Sequence, residues 1–142
     1  IKEVMEDPKF ETVQVGDEIP LLSTKPITRQ KLALYCGASG DHNPIHVDID
    51  YAKESGLDDV IAHGMLSMAY LGRLVTNWVS QESVREFKTR FTAMTLVGDI
   101  VTCRGKIIEK FTEAGENLIR LELIAETPRE QSLIGEAVIA LN

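Results

Sequence analysis

The sequence predicts an α+β fold in which a curved antiparallel sheet wraps around one long central helix. Three observations carry this expectation. Met65–Val79 places apolar side chains around most of a helix circumference, and a helix apolar on so many sides must be surrounded by protein. The second half of the chain alternates with period two. Short, turn-rich connectors join the alternating runs, as an antiparallel meander requires. One buried helix with one curved sheet forms an α+β layer architecture.

The elements follow in chain order. Between Phe10 and Lys25, short apolar stretches flank Gly16-Asp17, a turn signal. Thr28 can cap a helix over Arg29–Ala38, with Leu32, Leu34 and Tyr35 on its apolar side. Ser39–Ile45 cannot extend that helix, because it contains Gly40, and Asn43 precedes Pro44. A short helix is expected over Asp50–Ser55, ending at Gly56. In the helix Met65–Val79, only Ser67, Tyr70 and Arg73, continued by Asn77 and Gln81, form a polar stripe. Four strands are then expected. Phe87, Thr89, Phe91 and Ala93 share one face of the first; Val101, Cys103, Gly105 and Ile107 share one face of the second. Ile119, Leu121, Leu123 and Ala125 do so in the third, and Leu133, Gly135, Ala137, Ile139 and Leu141 in the last. Such a sheet has exposed edges, so pairing with a second copy is expected.

Composition bounds the function classes. A length of 142 residues fits one domain, 1–142. Hydrophobic residues at 44% and charged residues at 26% exclude a disordered tail protein. Lys plus Arg is 15 against 22 for Asp plus Glu, a net charge of −7, which argues against a general nucleic-acid-binding surface. A few local Arg or Lys could still hold a polyanionic ligand. The longest stretch free of Asp, Glu, Lys and Arg is Val60–Gly72, 13 residues, short of the roughly 20 that span a membrane. Ile1-Lys2-Glu3-Val4 shows no secretory pattern. We expect a cytoplasmic protein without membrane or nucleic-acid partners. Cys36 and Cys103 have no metal-ligand spacing and read as small buried apolar residues.

Two clusters carry chemistry: Tyr35 through His46, and Ile61-Ala62-His63-Gly64-Met65. Gly40 can adopt positive φ, and Asn43 with Pro44 fixes a turn, so Asp41 and His46 can reach one water molecule. A carboxylate and an imidazole around one water supply a base and an acid near neutral pH. Gly-Asp and Asn-Pro are also ordinary loop punctuation, and a lone His is more often structural. The pair on one turn, with His63-Gly64 ahead of a buried helix, favours the chemical reading. Gly64 at that helix N-terminus offers a backbone N–H to an oxyanion; close backbone packing is the plainer account of the same glycine, and both can hold. His63 reads as a helix-entry hydrogen-bonding residue rather than a base.

At these residues the chain resembles the MaoC-like family of hot-dog-fold (R)-specific enoyl-thioester hydratases and dehydratases. The family pattern is an aromatic residue, a few small residues, then Gly-Asp-x-Asn-Pro-apolar-His, here Tyr35 through His46, followed by a His-Gly-Met, here His63-Gly64-Met65. Val15-Gly16-Asp17, Thr28-Arg29-Gln30, Arg90-Phe91 and Gly98-Asp99 extend the likeness over nearly the whole chain. The entry segment, Ile61–Met65 and Arg90-Phe91-Thr92-Ala93 look closest to the catalytic subunit of (3R)-hydroxyacyl-carrier-protein dehydratases.

The resemblance implies a hot-dog fold, with Asp41 and His46 as catalytic dyad and the Gly64 N–H on the thioester carbonyl. It implies an acyl-CoA or acyl-carrier-protein thioester as substrate, no cofactor, no metal, and a homodimer or a heterodimer with a second hot-dog subunit. Asn43 would support the site by holding the loop or a dyad partner, or is simply a turn residue. Some relatives carry a Ser eight positions after the active-site Gly; that position is Gly72 here, and Ser67 on the polar stripe is the nearest hydroxyl candidate. Met65, Met68, Leu57 and Val60 would line the acyl pocket, or else pack the core. Arg73, Lys88 and Arg90 could meet a phosphate or pantetheine arm, or stay solvated. A hot-dog thioesterase ranks lower, because Met65–Val79 contains no Asp or Glu. A non-catalytic partner subunit would need neither Asp41 nor His46.

Overall fold

The structure, a computed structural model, describes residues 7–142; the N-terminal tetrapeptide lies outside the described residues. Helix α1 runs Arg29–Ser39 from Thr28, whose hydroxyl accepts the Lys31 N–H at 3.1 Å. A cap of this kind contributes about 1 kcal/mol. Gly40, at φ 76°, closes the helix. Leu32 and Cys36, one turn apart, are its buried residues; Leu34 is 68% exposed and not part of the apolar side. The reason is angular: Leu34 lies about 200° around the helix from Leu32. Pro44–His46 forms a single 3₁₀ turn. Helix α2 spans Ile49–Glu54, one residue earlier than expected, because the Asp48 carboxylate caps it by accepting the Asp50 and Tyr51 N–H groups.

The central helix α3 is Gly64–Thr76, shorter than the apolar pattern. Trp78 and Val79 leave the helix in a tightened turn, their N–H groups bonding the Val75 carbonyl, yet still pack on the core. Hydrophobic periodicity records burial, and burial here outlasts the helix. The polar stripe is also corrected. Ser67 and Tyr70 are buried, and the open strip of α3 instead carries Met65, Ala69, Arg73 and Thr76. Met65 alone is 52% exposed.

Strand β1 (Leu22–Ser23) is two residues long; β2 is Val84–Phe91, β3 Thr102–Glu113, β4 Glu116–Glu126 and β5 Gln131–Ala140. All pairings are antiparallel, in the order β1-β3-β4-β5-β2, and the sheet curls over α3, which touches β2, β3, β4 and β5. Ala114 and Gly115, both at positive φ, make the two-residue β3–β4 turn. The inward faces follow the alternation, which places Ile108 outside, until a bulge after Ile107 shifts the β3–β4 register and turns Glu109 outward too. Leu71 and Leu74 from α3 meet Leu121, Leu123 and Ile139 from the sheet in one core. Complete burial of such side chains is worth about 1.5–3 kcal/mol each. Cys36 and Cys103 are both buried free thiols, and burial pushes Cys103 up to about 12. Among the described residues, no helix is long and apolar enough to cross a membrane.

Gly135 sits between Thr89 of β2 and Leu123 of β4, where a Cβ would run into the Lys88 carbonyl oxygen. Backbone cannot yield as a side chain does. Gly135→Ala is expected to cost about 2–3 kcal/mol. Gly37→Ala meets nothing within 4 Å inside α1 and should stabilise by about 0.5–1 kcal/mol. Urea unfolding of the two variants beside the wild type measures both; equal midpoints would refute the packing at Gly135.

Candidate active site

The loop after α1 is built from short local bonds. The Ser39 hydroxyl donates to the Tyr35 carbonyl at 2.7 Å and accepts the Asp41 N–H at 3.1 Å. The Asp41 carboxylate accepts the Asn43 N–H at 3.2 Å. Asn43, extended as a residue before proline must be, accepts the Ile45 N–H on its own Oδ1 at 3.2 Å. Asn43 therefore braces the turn with its side chain and orients Asp41 with its backbone.

His46, buried at the end of the 3₁₀ turn, faces Asp41 with Nε2 3.8 Å from Oδ2. Its Nδ1 lies 2.8 Å from the Ile61 carbonyl. A carbonyl only accepts, so Nδ1 carries the proton, and the neutral ring presents a lone pair from Nε2. Two acceptors thus confront each other at a separation too long for a direct hydrogen bond. A donor with two hydrogens satisfies both.

His63 supports this pair from behind. Its ring stacks on His46, centroids 3.8 Å apart at 22°, and meets Tyr35 edge-on at 4.7 Å. Its Nε2 lies 3.2 Å from the Asp41 carbonyl and 3.5 Å from Cys36 Sγ, while Nδ1 is buried without a partner. Burial pushes the His63 pKa down; the bond to the Asp41 carbonyl opposes this, and the neighbouring His46 adds to it. Neutral His63 donates through Nε2. Asp41, His46 and His63 each bring a ligand-type atom within 4.8 Å of the others. Neutral His63, however, gives its Nε2–H to the Asp41 carbonyl, so that nitrogen has no lone pair left for a metal.

Gly64 opens α3, and its N–H belongs to the first turn, which lacks intrahelical acceptors. A Cβ there would stand 2.8 Å from the Phe91 ring. Close packing is therefore one reason for this glycine. Met65 is exposed beside it. Ser67 is not brought to Asp41 or His46: it is buried, with its hydroxyl 3.4 Å from that of Thr95. Met68 and Leu57 are half-buried, and Val60 belongs to the core. A recess of about 540 Å³ opens on the outer face of β2, β4 and β5, away from these residues.

Sequence reasoning missed the supports of the Ile61 carbonyl. Thr95 accepts the Ala62 N–H at 2.9 Å, and Leu96 bridges Ile61. Asp99 holds this loop, accepting the Leu96 N–H at 2.7 Å and both guanidinium nitrogens of Arg129. Burial works to raise the Asp99 carboxyl, but Arg129 and the Leu96 N–H outweigh it and keep the group below the usual carboxylate range. Gly98-Asp99 entered only as part of the family likeness; its arginine partner, 30 residues away, carried no local signal.

Comparison with known proteins gives one family, described as "MaoC like domain", matching residues 11–122. An (R)-specific enoyl-CoA hydratase of Rhodospirillum rubrum is 33% identical over 95 residues, covering 66% of this chain and 65% of that protein. The fatty acid synthase subunit beta of Aspergillus oryzae is 32% identical over 111 residues, 75% of this chain, and the match spans only 5% of that much longer protein. The R-hydratase PhaJ1 of Pseudomonas aeruginosa superposes with a TM-score of 0.83 at 26% identity, over 94% of this chain and 86% of that one.

Because folding lowers the His63 pKa from 6.5, the unfolded chain binds the proton more readily. The associated stability is present above pH 6.5 and lost as pH falls below it. Urea unfolding from pH 8 to pH 5 should show a decline that His63→Gln reduces. An unchanged pH dependence in that variant would show that His63 does not contribute it.

Proposed function

Since the chain belongs to the MaoC-like domain family, we propose that it is a hydro-lyase that hydrates trans-2-enoyl thioesters with (R) stereochemistry and dehydrates (3R)-hydroxyacyl thioesters in reverse. We read residues 1–142 as one domain of this kind. The observation that carries the proposal is the lone pair of His46 Nε2 facing the Asp41 carboxylate at 3.8 Å, with the imidazole tautomer fixed by Ile61.

In this reading a water donates one hydrogen to each member of the dyad and directs its own lone pair at C3 of the enoyl thioester. The C3–O bond forms as a proton leaves the water for the dyad. The C2–C3 π electrons move toward the thioester carbonyl, and the Gly64 N–H with the α3 dipole stabilises the oxygen that gains charge. Removing a donor of this type costs about 3–4 kcal/mol of transition-state stabilisation. The proton taken up by the dyad is then delivered to C2, which completes the addition of water and restores the dyad; the reverse sequence expels it. His63 contacts both members of the dyad and serves as a positioning residue.

The partner proposed is a second hot-dog subunit. Strand β2 is a full-length sheet edge, and the exposed side chains of Met65, Phe91 and Met94 leave apolar surface uncovered. A second subunit would cover this surface and enclose the acyl chain, which the single chain leaves open.

Purified protein is expected to remove the conjugated absorbance of crotonyl-CoA, and Asp41→Asn and His46→Gln should each lower that rate at least about a hundredfold. A near-normal rate in either variant removes that residue from the mechanism; no activity of the wild type on any enoyl thioester defeats the proposal. Light scattering should give about twice the chain mass of 15.8 kDa for a homodimer, and a monomer even with a co-expressed hot-dog partner present would contradict the pairing.

A further inference from the structure

The supports of the Ile61 carbonyl extend well beyond the residues that touch the dyad. Arg129 lies in the β4–β5 turn, where its N–H bonds the Thr127 hydroxyl at 3.3 Å and the Thr127 N–H bonds the Glu130 carbonyl at 2.9 Å. Its guanidinium donates to both carboxylate oxygens of Asp99, at 2.6 and 2.5 Å. The Asp99 backbone is held independently: its carbonyl accepts the Ile27 N–H at 2.8 Å, and the Ile27 carbonyl accepts the Gly98 N–H at 2.7 Å. With its main chain fixed just ahead of α1, the carboxylate holds the Leu96 N–H, and the Thr95 carbonyl holds the Ala62 N–H. The Thr95 and Ser67 hydroxyls, 3.4 Å apart, tie the same loop to α3. One line of polar contacts thus leads from an arginine in a hairpin turn to the carbonyl that receives the His46 proton. Among the described residues, neither Asp99 nor Arg129 forms a hydrogen bond or ion pair with Asp41 or His46.

We propose that Asp99 and Arg129 are positioning residues for the dyad, holding His46 in the tautomer whose Nε2 accepts a proton. Their part in catalysis rests on the hydratase reading above; their hold on the tautomer does not. The proton of neutral His46 has two places to sit. On Nδ1 it meets the Ile61 carbonyl at 2.8 Å, and on Nε2 it would point at the Asp41 carboxylate, 3.8 Å away. A carboxylate attracts a proton more strongly than a neutral carbonyl does. The Nδ1–H form therefore prevails only while the Ile61 carbonyl stays in line, because a hydrogen bond weakens steeply with misalignment. Without Arg129, the Asp99 side chain, 7% exposed, is a buried carboxylate lacking its counter-charge. Such a group takes up a proton or draws in water. Either response loosens its grip on the Leu96 N–H and frees the loop that aligns Ile61. The Nε2–H form then takes over, and an Nε2 that already carries a proton cannot take one from water.

Two readouts test this role. The chain has three histidines, His42, His46 and His63, and 15N spectra of histidine-labelled protein at pH 8 distinguish Nδ1–H from Nε2–H in each. The wild type should show His46 as Nδ1–H. Arg129→Gln should make Nε2–H the main form and lower kcat for crotonyl-CoA about fivefold, with KM within about twofold. Arg129→Lys, which keeps the charge but not the bidentate grip, should retain most of both. Arg85→Gln breaks an exposed ion pair with Glu116, apart from this loop, and should change neither. Should Arg129→Gln not fold, Asp99→Asn/Arg129→Gln removes both charges together and is read in its place, with the same shift expected. A tautomer shift in a protein whose wild type hydrates no enoyl thioester upholds the hold on His46 and defeats the hydratase reading alone. His46 still Nδ1–H in Arg129→Gln, an unchanged kcat beside an active wild type, or an equal effect from Arg85→Gln overturns the proposal.

Discussion

The hydrogen bond from His46 Nδ1–H to the Ile61 carbonyl is the constraint on which the rest of the site depends. It joins the loop after α1 to the segment that enters α3, bringing two sequence clusters into one site. It also selects the imidazole tautomer and so decides that a basic nitrogen, not an N–H, faces Asp41. Such a bond is worth only about 1 kcal/mol to stability, but its effect on chemistry is categorical: with the other tautomer Nε2 would donate directly toward the carboxylate, and the pair would no longer present two acceptors.

That bond is only as well placed as its acceptor. The Ile61 carbonyl is fixed because the 95–96 loop clamps Ile61 and Ala62, and Asp99 with Arg129 clamps the loop. The buried carboxylate is stable there because a bidentate guanidinium and a backbone N–H compensate its desolvation. His63 closes the arrangement from the other side, touching the Asp41 backbone and the His46 ring together. A neutral imidazole suits this buried place, since burying a positive charge there would be costly.

Charge and exposure divide the molecule along its helices. The acyl-thioester chemistry proposed at the α3 N-terminus is flanked by exposed apolar residues, and three cations, Lys25, Lys31 and Arg73, gather about a recess at the other end of the α1–α3 pair.

Much of this was legible in the sequence because the signals were local. Thr28 and Gly40 mark the ends of α1 through side-chain and backbone preferences that need no neighbour, and alternation through Val101–Ile107 and Ile119–Ala125 assigns strand faces directly. Asp41, Asn43 and His46 could be placed on one turn because Gly40 and Asn43-Pro44 dictate its shape. Where packing partners decide, the same reasoning failed. Leu34 points outward, Trp78 and Val79 are buried past the end of α3, and Ser67 and Tyr70 face the core instead of forming an open stripe. A sequence records residue polarity, but which side of a helix meets the sheet depends on the curl of four strands distant along the chain. By itself the sequence determined the element types, the rigid loop and the chemical inventory of the site. Only the tertiary structure decided the His46 tautomer, the His63 stack, the Asp99–Arg129 clamp and the cationic recess, because each requires groups brought together by folding rather than by spacing.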